Sequence, residues 1–174
     1  MIGPAAHWAA DSGTGRTISR ADVLALLEQA DEEGLVLQVE NTVSPMHVCS
    51  CCGCCCAVLT SAKRFAAPAG YFSSNFHAVV DPSLCQGCGA CMARCQMDAV
   101  AVPEGAAVVD RSRCIGCALC LRDCPSGAMR LEPKEEQRVP PDSTQDLYLK
   151  MFRDRHGPLA MVKVGARKML GMKI

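Results

Sequence analysis

Two periods of apolar and polar residues alternate along this chain. Over SRADVLALLEQADEE (19–33) the side chains of Val23, Leu24, Leu27 and Ala30 recur at helical spacing and share one face. Ser19 with Asp22 makes a capping-box-like start and Gly34 a natural stop, so a helix is predicted over 19–33. LVLQV (35–39) alternates with the period of a short strand. AVLTSAKRF (57–65) predicts a short helix ended by Pro68, and SSNFHAVVD (73–81) leads into a further strand. KEEQRVPPD (134–142) has the charge and proline content of a linker. Beyond it, Ser143 and Asp146 offer a second helix start, with Leu147, Tyr148, Met151 and Phe152 on one stripe and a stop at Gly157–Pro158. In the tail AMVKVGARKMLGMKI (160–174) the apolar period is broken by Gly165 and Gly171.

Between these elements lies an internal repeat. VVDPSLCQGCGACMARCQMDAVAV (79–102) aligns without a gap on VVDRSRCIGCALCLRDCPSGAMRL (108–131), 29 residues later. Each copy contains C-x2-C-x2-C-x3-C, a spacing used to hold iron–sulfur clusters. Three cysteines at i, i+3 and i+6 on a tight loop turn their thiolates toward one cubane. The fourth, one helical turn further on, points away and reaches the cluster of the other copy. Cluster I is therefore expected on Cys85, Cys88, Cys91 and Cys124, and cluster II on Cys114, Cys117, Cys120 and Cys95. Gly87 and Gly116 are expected to let the backbone pass close to inorganic sulfur. Val79, Val80, Val100, Val108, Ile115, Leu119 and Leu131 are expected to keep water away. Pro125 follows the last cysteine of the second copy, whereas Gln96 holds that place in the first, a departure expected to loosen one shell. Zinc ribbons also use paired CxxC units, but they need no third and fourth cysteine at this spacing, duplicated in tandem.

HVCSCCGCCCAV (47–58) raises a separate question, with six cysteines in the eight positions 49–56. Adjacent cysteines do not readily reach disulfide geometry, so metal or metal–sulfur binding is the first reading. Cys49, Cys52 and Cys55 form an embedded CxxCxxC and are the leading candidates for a third site. Cys51, Cys54 and Cys56 are further candidates, and His47 is a candidate fourth ligand. Some of the six can instead serve as small buried hydrophobes.

Composition and charge change the picture in two ways. The 14 cysteines make up about 8% of 174 residues, at the level where composition alone suggests a disulfide or metal scaffold. The N-terminal stretch has neither the basic nor the apolar region of a signal peptide, and no apolar run approaches the roughly 18 residues of a membrane span. A cytoplasmic, reducing location is therefore expected, where cysteine patterns read as metal-binding. Net charge is zero but unevenly spread: residues 1–48 carry two basic and seven acidic side chains, and residues 150–174 seven basic and one acidic. The acidic first third excludes nucleic-acid binding as an expectation, and the 19–39 helix and strand have no basic recognition face. That segment is expected to pack over the Cys-rich loop or to form a docking surface. The basic tail reads as a helix packed on the domain or as a contact with a partner or the membrane surface, the broken periodicity favouring the first. His7, Trp8, His77 and His156 are isolated and read as packing or surface residues. Nucleotide and flavin fingerprints are absent, and no acid–base or nucleophilic constellation stands out, so no catalytic residue is assigned.

Residues 78–132 resemble a bacterial-type two-cluster ferredoxin. That resemblance implies β-hairpins and short helices related by a pseudo-twofold, and transfer of single electrons at low potential. More widely, ADEEGLVLQVENT, HVCSCCGCCCAVL and SNFHAVVDPSLCQGCGACMARC together resemble a family of iron–sulfur proteins, mainly of anaerobes, that join a CxCCxCCC segment to such a domain. Many members are longer, which implies that a partner subunit or further domain can complete a site.

The expected architecture is α+β in four parts: a helix–strand segment (1–45), the Cys-rich loop and short helix (46–77), the ferredoxin domain (78–132), and a linker with a basic helical tail (133–174). The expected function is electron transfer through two [4Fe-4S] clusters to a redox partner or a larger oxidoreductase complex, with a third metal–sulfur site at 49–56. Two rival readings are a reductase or activating component with an open iron in the loop, and a soft-metal-binding or sensing protein.

Overall fold

The computed structural model describes residues 1–157, 159 and 160, so the basic tail lies almost wholly outside the described residues. It is a small mixed assembly of short helices and strands. A first helix, α1 (Pro4–Asp11), had no periodic signal; its proline sits in the first turn, where no amide hydrogen is needed. Helix α2 (Arg20–Glu32) forms where predicted, with Ser19 and Asp22 making the reciprocal capping box. Strand β1 (Val36–Val39) follows and pairs antiparallel with β2 (Val48–Cys51), in register from Val36 opposite Cys51 to Val39 opposite Val48. The first part of the expected cysteine loop is thus a strand. Helix α3 (Ala57–Ala62) is shorter than the predicted 57–65, and a single 3-10 turn occupies Pro68–Tyr71.

The repeat contributes β3 (Phe76–Val80), α4 (Ala90–Arg94), β4 (Val100–Ala101), β5 (Val108–Val109), α5 (Leu119–Arg122) and β6 (Met129–Pro133). Strand β3 pairs antiparallel with β6, and β4 with β5. Val80 faces Met129 and Val79 faces Arg130; 29 residues away, Val109 faces Val100 and Val108 faces Ala101. The two pairings are the same pairing with the strand roles exchanged. Helix α6 (Thr144–His156) closes the described chain, its first turn capped by Ser143, which accepts the Asp146 amide at 3.2 Å.

One apolar cluster joins the front of the chain to the repeat: Val36, Leu59 and Ala62 pack with Ala78, Met97, Ile115, Leu119 and Met129. Leu59 and Met97 are fully buried. Of the residues expected to shield the cysteines, Val100, Ile115 and Leu119 are buried, while Val79, Val80 and Leu131 are half-buried. Val108 is 56% exposed, because β5 lies at a sheet edge and alternate side chains face opposite sides. Helix α2 departs further from its pattern: Ala30 is buried, but Val23 and Leu24 are exposed. Its C-terminal end provides the anchor, since the Arg94 guanidinium donates to the carbonyls of Asp31 at 2.5 Å and Glu32 at 2.9 Å. Those carbonyls belong to the last turn, where a helix has no partners of its own. Arg122 adds an ion pair to Asp31.

The two copies share a backbone conformation but differ in residue type at one informative place. Gly89, before α4, has φ +78°, and its counterpart before α5 is Ala118, also left-handed at φ +69°. A Cβ in that region is strained. Ala118→Gly is expected to stabilise the protein by about 1 kcal/mol. Gly116→Ala is expected to destabilise it by more than about 1 kcal/mol, since φ is +68° and the added carbon would meet the Phe76 carbonyl. Thermal unfolding of the two variants, followed by circular dichroism, measures both effects.

Candidate functional site

Each copy begins its cysteine run from the same turn. Asp81 Oδ1 accepts the Ser83 amide at 3.0 Å and its hydroxyl at 2.6 Å; Asp110 Oδ1 accepts the Ser112 amide at 2.8 Å and hydroxyl at 2.6 Å. These bonds from serine hold both carboxyls below the usual aspartate range. The backbone then folds so that the Cys85 amide donates to the Asp81 carbonyl and the Cys114 amide to that of Asp110. In each copy the glycine between the first two cysteines lies against a foreign carbonyl. A Cβ on Gly87 would meet that of Gly105, and one on Gly116 that of Phe76. The close approach of another backbone, the β4–β5 turn at Gly87 and β3 at Gly116, therefore adds a reason for glycine beyond room for sulfur.

The eight cysteines of the repeat line two cavities. Cys85, Cys88, Cys91 and Cys124 border one, with Gly87, Ala107 and Met129. Cys95, Cys114, Cys117 and Cys120 border the other, with Ala78, Ile115 and Leu119. The fourth cysteine of each copy thus stands in the cavity of the other copy. Backbone amides point at the sulfurs: Ala107 to Cys85 at 3.3 Å, Ala78 to Cys114 at 3.3 Å and Ala99 to Cys95 at 3.2 Å. Four thiols and inward amides in an apolar wall are the donor set a cubane needs, so these residues fit the group. Burial pushes the Cys120 thiol up to about 12 and raises Cys91 and Cys117 as well. Burial also opposes ionisation of Cys124, but the amides of Met129 and Ala128 and the Ser126 hydroxyl outweigh it and hold this thiol below its ordinary value. Cys91, Cys114 and Cys120 are buried, whereas Cys88 is exposed.

The six loop cysteines divide differently from the spacing. The thiols of Cys52, Cys54 and Cys55 all lie within 4.8 Å of one another, with 2.9 Å between Cys52 and Cys55. Cys49 does not join them: it sits in β2 opposite Gln38, where strand geometry replaces the loop that the i, i+3, i+6 reading assumes. Cys51 and Cys56 interact with each other through their side chains. Burial, then the Cys56 thiol, pushes Cys51 up to about 12. Bonds from the Cys54 and Cys55 thiols pull Cys52 down to about 6, while Cys55 is pushed up to about 11 as their donor. His47 faces Glu40 at 3.5 Å and is not a member of the three-thiol group. His77 is buried, its Nε2 has no hydrogen-bond partner, and desolvation lowers its pKa, in keeping with a packing role.

Spacing alone did not show what ties the loop to the repeat. Gln96, next to Cys95, accepts the Gly53 amide on Oε1 at 2.6 Å and donates from Nε2 to the Gly34 carbonyl at 2.8 Å. Gly53 is required there, since a Cβ would come within 2.5 Å of the Gln96 carbonyl oxygen. Lys63 reinforces the contact through an ion pair with Asp98 at 3.2 Å. The signal available in the sequence was the mismatch between Gln96 and Pro125. The side chain joins three segments of chain.

A family model described as a 4Fe-4S dicluster domain matches residues 77–125. Comparison with curated proteins finds no match. The match covers the cysteine runs of both copies and assigns iron–sulfur clusters, and with them electron-transfer chemistry, to this part of the chain. Among the described residues no helix is long and apolar enough to cross a membrane.

The thiolate is the form that alkylates. In folded protein whose repeat retains its clusters and whose loop is free of metal, iodoacetamide is therefore expected to modify Cys52 ahead of Cys51 and Cys55 at neutral pH. The Cys52 rate should fall as pH drops through about 6, where the thiolate is protonated. Peptide mapping by mass spectrometry reads out both the order and the pH profile.

Proposed function

We propose that this protein is an iron–sulfur electron carrier with two [4Fe-4S] clusters. Cluster I is held by Cys85, Cys88, Cys91 and Cys124, and cluster II by Cys114, Cys117, Cys120 and Cys95. The observation that carries the reading is the sorting of the eight thiols into two cavities of four, each drawn from both copies of the repeat. The exchanged strand pairing supports a pseudo-twofold relation between the halves. The clusters supply one-electron chemistry; the chain places thiolates, aims amides at the sulfurs and excludes water with Ile115, Leu119 and Met129.

The exposed thiol of Cys88 favours the cluster I edge as the place where electrons are exchanged with a redox partner or a larger oxidoreductase complex. Cluster II lies on the side where Gln96 joins the cysteine-rich segment. A third metal–sulfur site belongs in that segment, within residues 49–56, supported by the three close thiols. Cysteines kept as metal ligands, and not joined as disulfides, belong in a reducing compartment.

Iron and acid-labile sulfide on anaerobically purified protein test the two-cluster reading. About eight of each are expected in the repeat. Cys95→Ser should perturb the cluster that Cys117→Ser perturbs, and Cys124→Ser the cluster that Cys88→Ser perturbs, as read by the resonance of the reduced protein. Pairing of Cys95 with Cys88 instead would refute the exchange.

A further inference from the structure

We infer that Cys52, Cys54 and Cys55 form a site for one thiophilic d10 ion, zinc(II) or copper(I), and not one face of a third cubane. The inference rests on the third-site reading above and specifies its chemistry. Two thiolates on the same ion are separated by at most twice the metal–sulfur bond, about 4.6 Å for zinc. In a cubane each thiolate binds a different iron, so an iron–iron edge lies between any two of them and pushes them further apart. Cys52 and Cys55 sulfurs stand 2.9 Å apart and all three loop thiols lie within 4.8 Å of one another, so small rotations of their side chains bring them onto one ion.

The repeat provides an internal control. Its eight cysteines line two cavities in sets of four, yet among the described residues they form no triad this tight. The same fold thus spreads thiols around cavities in the repeat and gathers them to a point in the loop.

The surroundings favour the same conclusion. The three thiols flank Gly53, whose amide is fixed by Gln96, so the turn is held from outside. The Cys55 amide donates to Cys52 Sγ at 3.4 Å, stabilising negative charge on that sulfur. Cys54 and Cys55 are exposed, so an ion reaches them from solvent, and no enclosed cavity sized for a cluster is required. Three sulfurs satisfy trigonal copper(I) outright; zinc would add a fourth ligand from water or a partner. Cys49 and Cys51 take no part, since their thiols lie outside the close group of three.

Metal content of the full chain separates the alternatives, because the two kinds of site use different cysteines. Iron, sulfide, zinc and copper are measured per chain after anaerobic purification and after titration with zinc(II) or copper(I). The wild type should bind about one zinc or copper beside about eight iron, and X-ray absorption at the bound metal should show sulfur at about 2.3 Å for zinc. Cys54→Ser should lose the ion or weaken it at least tenfold in chelator competition, whereas Cys49→Ser should retain it. The iron signal of the repeat in both variants reports that they remain folded. About twelve iron and twelve sulfide, falling to about eight in Cys49→Ser, would overturn the single-ion inference while leaving a third site standing. Eight iron with no further metal after either titration would overturn both. Equal loss from Cys49→Ser and Cys54→Ser would refute the assigned ligand set.

Discussion

Everything in the repeat depends on one exchange: the last cysteine of each run faces the cavity of the other run. Thiolates cannot be gathered this way unless the two copies lie against each other in a fixed orientation. The strands meet that demand by pairing the beginning of the repeat with its end. The glycines meet it too, since Gly87 and Gly116 are where backbone from elsewhere, a turn and a strand respectively, passes too close for a side chain. With clusters bound, folding and cofactor binding become a single equilibrium. Burial opposes ionisation of thiols such as Cys120, so a cation beside the sulfur would be needed to hold it as thiolate.

The junction between this unit and the front of the chain is polar and concentrated on residues 94–98. Arg94 binds the end of α2, Gln96 binds Gly34 and Gly53, and Asp98 binds Lys63. These contacts sit immediately around Cys95. Leu59 and Met97 fill the apolar space beneath them, so the hydrogen bonds choose the geometry while burial supplies the driving force. The cysteine-rich segment is thereby seated on the repeat.

The repeat was legible because cluster ligation imposes spacing, and spacing survives in a linear string. Helices α2 and α6 were legible because their caps are local: Ser19 with Asp22 and Ser143 with Asp146 span three residues each. The loop was less legible because the i, i+3, i+6 rule presumes a turn, and β1 recruits residues 48–51 into a strand that only pairing reveals. Exposure of Val23 and Leu24 was equally hidden, since an apolar stripe does not say how much of its length finds a partner. The part played by Gln96 needed coordinates, because both of its partners are more than forty residues away.

The pairing of β3 with β6 also brings the two ends of the dicluster unit together. Phe76 lies opposite Pro133, and the next residue out, Lys134, donates its amide to the Asn75 carbonyl at 2.8 Å. A unit whose entry and exit strands run side by side makes little demand on the protein that carries it. It can be spliced into a surface loop of an unrelated chain, or opened elsewhere and rejoined here by a short bridge, without stretching its host. Mechanically, it has the opposite character: a pull on the two flanks loads the β3–β6 ladder from one end, separating residue pairs in succession. Tension transmitted through the chain would therefore unzip the wall beside Cys114, whose sulfur takes its hydrogen bond from Ala78 of that same strand.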